Sequence, residues 1–281
     1  MALLQKAYLG ATPLFRNEDW FEQSSYTLVN STAEVSLTAN TSAHTKGSYT
    51  ELIASTSANA GLLVLMVQDV STASANTATL IDVATGASGS ETDIISNLAV
   101  GGAITTIGPT GVAVAVPFQI PSGTRLSARI QSVVTGGKTA TAQVFLLTAG
   151  SDYATAPTSV DVITGDTATS QGISFSGASG TWVQAIASTS RAYRAVAIMP
   201  SMHNASIANI SPQLELGVGG AGSEQVFGLT AVSYANNESV LSSPPYLSLF
   251  GRNIPAGSRL AVKHNIAANP DRYGFTLIGI P

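Results

Sequence analysis

The side chains that most often perform catalysis or bind metal ions are few in this chain and scattered along it. The 281 residues include three histidines and no cysteine. None of His44, His203 and His264 has a second histidine or a carboxylate at a ligand-like spacing in a shared element, so we interpret each as a surface or loop residue. The absence of cysteine excludes a disulfide framework and any zinc or iron–sulfur site built on thiolates.

One glycine-rich segment fits a nucleotide-binding pattern but lacks its context. Residues 217–222 read G-V-G-G-A-G, and the next residues, 223–227 (S-E-Q-V-F), indicate a strand or loop, whereas a phosphate site requires a helix there. We interpret the segment as a turn that needs positive φ angles. No G-x-S-x-G nucleophile elbow occurs, and no motif supports a glycosidase pair among the scattered carboxylates. We expect no catalytic residue, no cofactor and no metal site, and no enzymatic activity.

The best-defined motif is a turn that occurs twice and is followed each time by cations on one strand face. Residues 120–126 read I-P-S-G-T-R-L and residues 254–260 read I-P-A-G-S-R-L. Proline ends the preceding strand and glycine turns the chain. Alternation along the next strand then places Arg125 with Arg129, and Arg259 with Lys263, on one face. Either these cations form a solvated face that blunts pairing at a sheet edge, or they contact carboxylates of a neighbouring subunit.

The turn motif belongs to an internal duplication. Residues 53–57 (I-A-S-T-S) recur as residues 186–190, an offset of 133, and the glycine-rich blocks 86–91 and 219–224 keep that offset. The turn motifs come next, at an offset of 134. We predict an N-terminal arm at residues 1–24, a first domain at 25–149, a linker at 150–156 and a second domain at 157–281. Each domain is near the usual domain size.

Composition indicates that these domains are built from strands. Charged residues make up only 10% of the chain, while 34 serines and 30 threonines account for nearly a quarter of it. Thr, Val and Ile suit a pleated surface, and short runs of them alternate with Gly, Asn, Ser and Pro clusters. The predicted fold is all-β, with two tandem sandwiches of seven or eight short strands each. We favour a jelly roll over an immunoglobulin-like topology.

The same arithmetic argues against two classes of partner. Twelve Lys and Arg residues against sixteen Asp and Glu residues give a net charge of −4, which disfavours binding to nucleic acid through its phosphates. The longest apolar runs fall far short of the ~20 residues that cross a bilayer. The N-terminus lacks the pattern of a signal peptide, so we expect synthesis in a cytoplasm.

Residues 1–24 match nothing in the second copy and hold two of the scarce aromatic side chains. Trp20 and Phe21 lie among acidic residues, and aromatic residues are enriched at interaction hot spots. We expect this arm either to contact a partner or to lie across its own first domain.

The turn-and-strand pattern resembles that of small β-sandwich virion proteins of tailed bacteriophages. In those proteins IPAG(S/T)R(L/I) precedes a Ser/Thr-rich strand and a final apolar strand, and residues 254–280 fit this pattern best. The resemblance covers most of both copies but not the first 24 residues. It implies a structural role in the particle, as a head decoration protein, fibre or tail component, and it carries no catalytic residues.

The sequence therefore predicts a structural virion protein, made in the host bacterial cytoplasm. Its expected partners are copies of itself, as a homo-oligomer, and major capsid or tail proteins, with no nucleic acid and no membrane. An alternative is a module that binds a glycan or receptor on the host surface. Candidate aromatic residues for such a site are Trp182, Tyr193, Tyr234 and Tyr246. An enzyme such as a glycan hydrolase is a third hypothesis without a supporting motif.

Overall fold

The computed structural model confirms an all-β fold. It describes residues 27–69, 79–100, 111–148, 156–163, 167–203, 210–232 and 248–281. Within these ranges the chain forms eighteen strands and one short 3₁₀ turn, and the strands make four antiparallel sheets. Trp20, Phe21, Tyr234, Tyr246 and most of the predicted linker lie outside the described residues.

The first two sheets use strands β1 to β9. Sheet I has the order β1-β9-β4-β7, with β2 also paired to β9, and sheet II has the order β3-β8-β5-β6. The strands are β1 (Thr27–Ser31), β2 (Val35–Thr38), β3 (Thr50–Ile53), β4 (Ala60–Asp69), β5 (Thr79–Thr85), β6 (Thr92–Ala99), β7 (Gly111–Ile120), β8 (Leu126–Ser132) and β9 (Thr139–Thr148). We call this pair of sheets sandwich 1.

The other two sheets repeat the arrangement and form sandwich 2. Sheet III has the order β10-β18-β13-β16, with β11 also paired to β18, and sheet IV has the order β12-β17-β14-β15. The strands are β10 (Asp161–Val162), β11 (Ile173–Ser174), β12 (Trp182–Ile186), β13 (Tyr193–Met202), β14 (Gln213–Val218), β15 (Gln225–Ala231), β16 (Ser248–Ile254), β17 (Leu260–His264) and β18 (Tyr273–Ile280). The 3₁₀ turn at Pro270–Arg272 precedes β18.

The strand order is that of a jelly roll. From β2 to β9 the chain changes sheet at every connection except the one from β5 to β6. The outer strands of sandwich 1 thereby wrap around the inner ones, as two Greek keys do. Sandwich 2 has the same strand order, so the predicted jelly-roll-like architecture is confirmed in both copies.

Alternating side chains explain why these residues form sandwiches. Along β4, Leu63 and Leu65 are fully buried, whereas Leu62 and Val64, which alternate with them, are only partly buried. β9 alternates in the same way, with small or apolar residues inside and mostly hydroxyl or amide residues outside over its first half. Because successive side chains on a strand point to opposite faces, one face of sheet I supplies the core of sandwich 1 and the other face points outwards.

The two copies share their hydrogen-bond register as well as their strand order. Ala84 of β5 lies opposite Ser127 of β8, and Gly217 of β14 lies opposite Ala261 of β17. Asp82 lies opposite Arg129, as Glu215 lies opposite Lys263. Each residue of β5 from Leu80 to Thr85 therefore has a defined counterpart 133 positions later in β14.

The two sandwiches contact each other through β6. This strand is at the end of sheet II, yet all its residues except Thr92 are buried, because β13, with β10 and β18, packs against it. The covered side of β13 includes Ala195, Ala197 and Met199, all of them buried. On β4, the counterpart of β13 in sandwich 1, the same positions are Leu62 and Val64, which are partly buried, and Met66, which is exposed.

Hydrogen bonds from the start of sandwich 2 add to this contact. The amide of Gln131 donates to the carbonyl oxygen of Ser170 at 2.7 Å, and the backbone N–H of Lys46 donates to the carbonyl oxygen of Ala168 at 2.9 Å. Both acceptors lie in the connection between β10 and β11, which spans residues 163–172. The equivalent connection between β1 and β2 has only residues 32–34, so sandwich 1 has no loop of this length to offer.

Candidate interaction surface

The two sequence motifs meet at one end of each sandwich and form a locked turn. In sandwich 1 the hydroxyl of Thr56 donates to the carbonyl oxygen of Pro121 at 2.6 Å and accepts from the N–H of Thr124 at 3.0 Å. The carbonyl oxygen of Thr56 accepts from Gly123, whose φ of +82° favours glycine. One buried threonine therefore binds both sides of the I-P-S-G turn.

Sandwich 2 repeats this arrangement atom for atom. Thr189 donates to the carbonyl oxygen of Pro255 at 3.0 Å and accepts from the N–H of Ser258 at 3.1 Å. Gly257 donates to the carbonyl oxygen of Thr189 and has a φ of +81°. The spacing between residues 53–57 and 120–126 in the sequence therefore reflects a direct contact.

The arginine of each turn motif joins the third repeated block to the turn. Arg125 Nη1 donates to the carbonyl oxygen of Gly86 at 3.2 Å and to Glu91 Oε1 at 3.1 Å, and its Nε donates to Glu51 at 2.9 Å. In sandwich 2 the equivalent Arg259 reaches Gly219 at 3.3 Å and Glu224 at 2.7 Å, and it reaches Gln184 in place of a glutamate. Glu91 and Glu224, which are equivalent in the duplication, therefore play the same part in the two turns.

These contacts change the acidity of the two glutamates. Burial acts to raise the pKa of Glu91, but backbone N–H groups and the Arg125 guanidinium outweigh it and hold the pKa below its usual value. The same balance, with Arg259, lowers the pKa of Glu224. Gly219 and Gly222 have positive φ angles, as do Gly86 and Gly89, so the glycine-rich block is a turn between strands, as predicted.

The second cation of sandwich 1 lies in a buried cluster of charges. Arg129 Nε donates to Asp82 Oδ2 at 2.8 Å, and Lys46 Nζ lies 2.5 Å from the same oxygen, with both the Lys46 and the Asp82 side chains almost fully buried. Arg129 also reaches Asp93 at 3.4 Å and stacks over the ring of Tyr49 at 4.3 Å. Two cations and two carboxylates therefore balance one another beneath the contact between the sandwiches.

A reduced version of this cluster occurs in sandwich 2. Lys263 Nζ lies 2.7 Å from Glu215, and both side chains are about one-third exposed. The ammonium group lies 5.2 Å from the centre of the Trp182 ring, in the place that Tyr49 takes in sandwich 1. The counterpart of Asp93 is Val226, since each lies opposite an equivalent residue of the neighbouring strand. Sandwich 2 therefore has an apolar residue where sandwich 1 has a charge.

The four predicted interface cations all have partners within their own sandwich. Arg125, Arg129, Arg259 and Lys263 each form an ion pair with a carboxylate of a neighbouring strand or turn. Because β8 and β17 each have a strand on both sides, the alternative that these cations protect a sheet edge is wrong. Their contact with a neighbouring subunit stays a prediction, as does the role of Trp20 and Phe21.

The interpretation of the histidines as surface or loop residues is wrong for at least one of them. His264 is buried against the ring of Phe175, with the ring centroids 5.0 Å apart, and its Nδ1 accepts from the N–H of Ile266. His203 follows β13 and lies close to His44 of sandwich 1. Burial, together with the charge of His44, lowers the pKa of His203 to about 4. The sequence of β13 is an apolar run, and it did not indicate that sandwich 1 would lie against the end of this strand.

Two of the aromatic residues proposed for glycan binding are engaged inside sandwich 2. Tyr193 is buried, and its hydroxyl donates to Asp161 at 2.9 Å. The ring of Trp182 lies over Gly217, where an added Cβ would come within 2.6 Å of the indole. Glycan binding stays a prediction, and a glycan array on the purified protein tests it.

Within the described residues, no group of three or more His, Asp or Glu side chains could hold a metal ion. No helix in that part of the chain is long and apolar enough to cross a membrane. A shallow depression beside the turn of sandwich 1 is lined mainly by the backbone and small side chains of residues 85–88 and 121–125. Its one cation, Arg125, is already paired.

Comparison with known proteins adds only remote structural matches. No family model and no curated protein sequence matches this chain. The STIV MCP shares 7% identity at a TM-score of 0.35, over 92% of this chain and 96% of that one. The tandem CBM22 domains of Paenibacillus barcinonensis Xyn10C share 12% identity at a TM-score of 0.26, over 92% and 94%. The Macrobrachium rosenbergii nodavirus structure gives a TM-score of 0.19 with 10% identity, over 97% of this chain and 95% of that one. At such scores these matches carry no argument about function.

Proposed function

We propose that this chain is a structural virion protein of a tailed bacteriophage that works by packing against copies of itself and against other virion proteins. The observation that carries the proposal is the division of its surface. The cations of the repeated motifs form ion pairs within each sandwich, whereas large apolar side chains are exposed on the outer faces of strands. Exposed apolar side chains that cluster on one face are found at surfaces that bind other proteins.

The turn motif supports the same proposal. The I-P-x-G turn, its threonine and its arginine form an identical structural unit in both copies, and this pattern is the one that resembles phage β-sandwich virion proteins. The residues concerned hold the sandwich together and leave no reactive side chain free at the turn. A chain of two sandwiches offers an exposed apolar surface on each, which suits repeated packing on a particle.

Locating the protein on intact phage particles tests the proposal. Particles carrying the protein with a small C-terminal tag would be imaged by cryo-EM and labelled with tag-specific antibody fragments. Density on the head surface would assign a decoration role, whereas density on the tail or on fibres would assign the protein to those parts. Purified particles that contain no copy of the protein would overturn the proposal.

The N-terminal arm gives a separate test of how the protein reaches its partner. If Trp20 and Phe21 bind another virion protein, a variant lacking residues 1–24 will fold normally and yet be lost from purified particles. A second variant, Trp20→Ala with Phe21→Ala in the full chain, keeps the arm and removes only the two aromatic side chains. Normal incorporation of both variants would leave the arm with no part in attachment.

A further inference from the structure

The large apolar side chains that the described residues expose fall on only two surfaces. Met66 of β4 is 45% exposed and Leu28 of β1 is 52% exposed, and both lie on the outer face of sheet I. Val226 and Leu229, at 49% and 59%, both belong to β15 at the end of sheet IV. One surface is on each sandwich, and the two are different.

The duplication relates these two surfaces to the contact between the sandwiches. β15 is the counterpart of β6, and β4 is the counterpart of β13. β6 and β13 pack against each other inside the chain, whereas their counterparts β15 and β4 keep large apolar side chains exposed. Each exposed surface therefore corresponds, by its position in the sandwich, to one half of a contact that the molecule already makes once.

Met66 and Met199 show this relation at a single position. The two methionines occupy equivalent places on β4 and β13, opposite Gln143 and Thr276 respectively. Met199 is completely buried, because β6 covers the outer face of sheet III, whereas Met66 is 45% exposed. The chain keeps a methionine at a surface position where a monomer gains nothing from it.

The differences between β6 and β15 make the uncovered strand more apolar. Asp93 of β6 is replaced by Val226. The irregular stretch at Ser96 and Asn97 is replaced by Leu229, which lies opposite Glu215. The outer face of sheet I matches this character, since partly buried apolar residues surround Met66 there. They are Leu62, Val64, Phe145 and Leu147.

We propose that β15 of one copy docks on the outer face of sheet I of a second copy, around Met66, in the way that β6 docks on β13 within the chain. The proposal deepens the function proposed above and rests on it for its biological setting. The two surfaces differ, so the contact is head-to-tail and leaves a free half on each outer copy. Repetition of the contact gives a closed ring or an open chain of subunits.

The contact between copies is smaller than the internal one. The connection over residues 163–172, which binds Lys46 and Gln131 inside the chain, corresponds to only three residues between β1 and β2. Association therefore depends mainly on the apolar side chains, and a single charge introduced among them is enough to disrupt it.

The first experiment measures the mass of the purified full-length protein by analytical ultracentrifugation over a range of concentrations. The expected result is association that Leu229→Glu and Met66→Glu each weaken at least tenfold, while the charge control Ser88→Glu does not. Circular dichroism and thermal unfolding establish that every variant keeps the fold. A protein that stays monomeric at high concentration would overturn the proposal.

The second experiment uses the absence of native cysteine to identify the surfaces in contact. Met66→Cys and Leu229→Cys proteins are oxidised separately and as a mixture, with Ser88→Cys as the control partner. The expected result is a disulfide-linked dimer from the mixture alone. Self-linking of either single variant would indicate a two-fold contact, and mixed linking no stronger than the control would show that the surfaces do not meet. Either result overturns the proposal.

Residues 1–24 are the rival occupant of the face around Met66. If they cover it, the thiol of Met66→Cys will react slowly with a maleimide in the full chain and rapidly once residues 1–24 are removed, and the proposal fails. The outcome of these tests is independent of particle location. If the subunits link but particles contain no copy of the protein, the docking proposal holds and the virion role is refuted. If particles contain the protein but the subunits do not link, the virion role holds and the docking proposal is refuted.

Discussion

At the scale of single residues, the buried threonine of each copy is the clearest link between sequence and structure. Thr56 and Thr189 each hold a turn that lies more than sixty residues away in the sequence. A valine of the same shape would leave a part-buried carbonyl oxygen and a part-buried N–H of the turn without this partner, and losing a hydrogen bond away from bulk water is costly.

Replacing this threonine therefore gives the first prediction. We expect Thr56→Val to lower the free energy of unfolding by about 1–3 kcal/mol, measured by urea denaturation, and Thr189→Val to act similarly. Ser55→Ala, at an exposed neighbour, serves as the control and should change stability by less than about 0.5 kcal/mol. Equal effects of Thr56→Val and Ser55→Ala would show that the hydroxyl does not hold the turn.

His203 gives a prediction about pH. Its pKa of about 4 in the folded protein lies below the ordinary histidine value. The folded state thus binds fewer protons than the unfolded state between these values, so stability is fully present above pH ~6.5 and declines as the pH falls towards 4. The nearby charged groups are His44, which lowers the pKa further, and Asp271, which raises it.

The measurement is the free energy of unfolding between pH 4 and pH 7 for the natural chain and for His203→Asn. We expect the variant to lose less stability on acidification, by roughly 2–3 kcal/mol at the low end of this range. Since His264 remains in both proteins, the difference between the two profiles reports His203 together with its coupling to His44. Parallel profiles would contradict the assignment.

At the scale of elements, β6 shows what could and what could not be read from the sequence. The central strands β4, β8 and β17 were predictable from alternation or from the turn motif that precedes them. β6 was not, because its residues are buried on both faces and a bulge at Ile94 interrupts its register. The sequence T-D-I-I-S-N-L-A therefore shows no period of two, and its cover comes from the other half of the chain.

The charged contacts of the candidate site also include some that the sequence indicated and some that it did not. The shared turn role of Glu91 and Glu224 followed from the duplication, and so did the common face of Arg125 and Arg129. The buried cluster around Asp82 did not, because Lys46 reaches it from a loop whose counterpart in the second copy has the uncharged Ser179 at that position. Pairing of this kind depends on distances in space that spacing along the chain does not give.

The two copies provide a matched pair of variants for this cluster. Asp82→Asn removes the carboxylate that Lys46 and Arg129 share, and breaking a buried pair in this way costs about 3–5 kcal/mol. Glu215→Gln removes the equivalent carboxylate from the more exposed pair in sandwich 2 and should cost less than about 1 kcal/mol. Thermal and chemical unfolding of both variants compare the two costs, and similar losses would contradict the effect of burial.

At the scale of the whole molecule, the duplication has produced two sandwiches with the same strand order and different surroundings. The outer face of sheet III is covered by β6, whereas the outer face of sheet I is not covered by its counterpart β15. The same substitution should therefore disturb the arrangement of the sandwiches in one copy and leave it unchanged in the other.

Met199→Glu and Met66→Glu test this asymmetry. We expect Met199→Glu to separate the sandwiches, because it places an unpaired charge in their contact. Small-angle scattering should then show a larger radius of gyration, and proteolysis between the sandwiches should become faster. Met66→Glu should leave both measurements on the monomer unchanged, and an equal response of the two variants would contradict the arrangement.

Covalent linkage of the two sandwiches also sets an order of events. The contact between β6 and β13 forms within one chain, where a tether gives an effective concentration in the millimolar range, far above that of free subunits in a cell. The internal contact is therefore complete before any copy meets another. Newly made chains would enter assembly as uniform, ready-paired building blocks, and their concentration would act only on the last, weaker step.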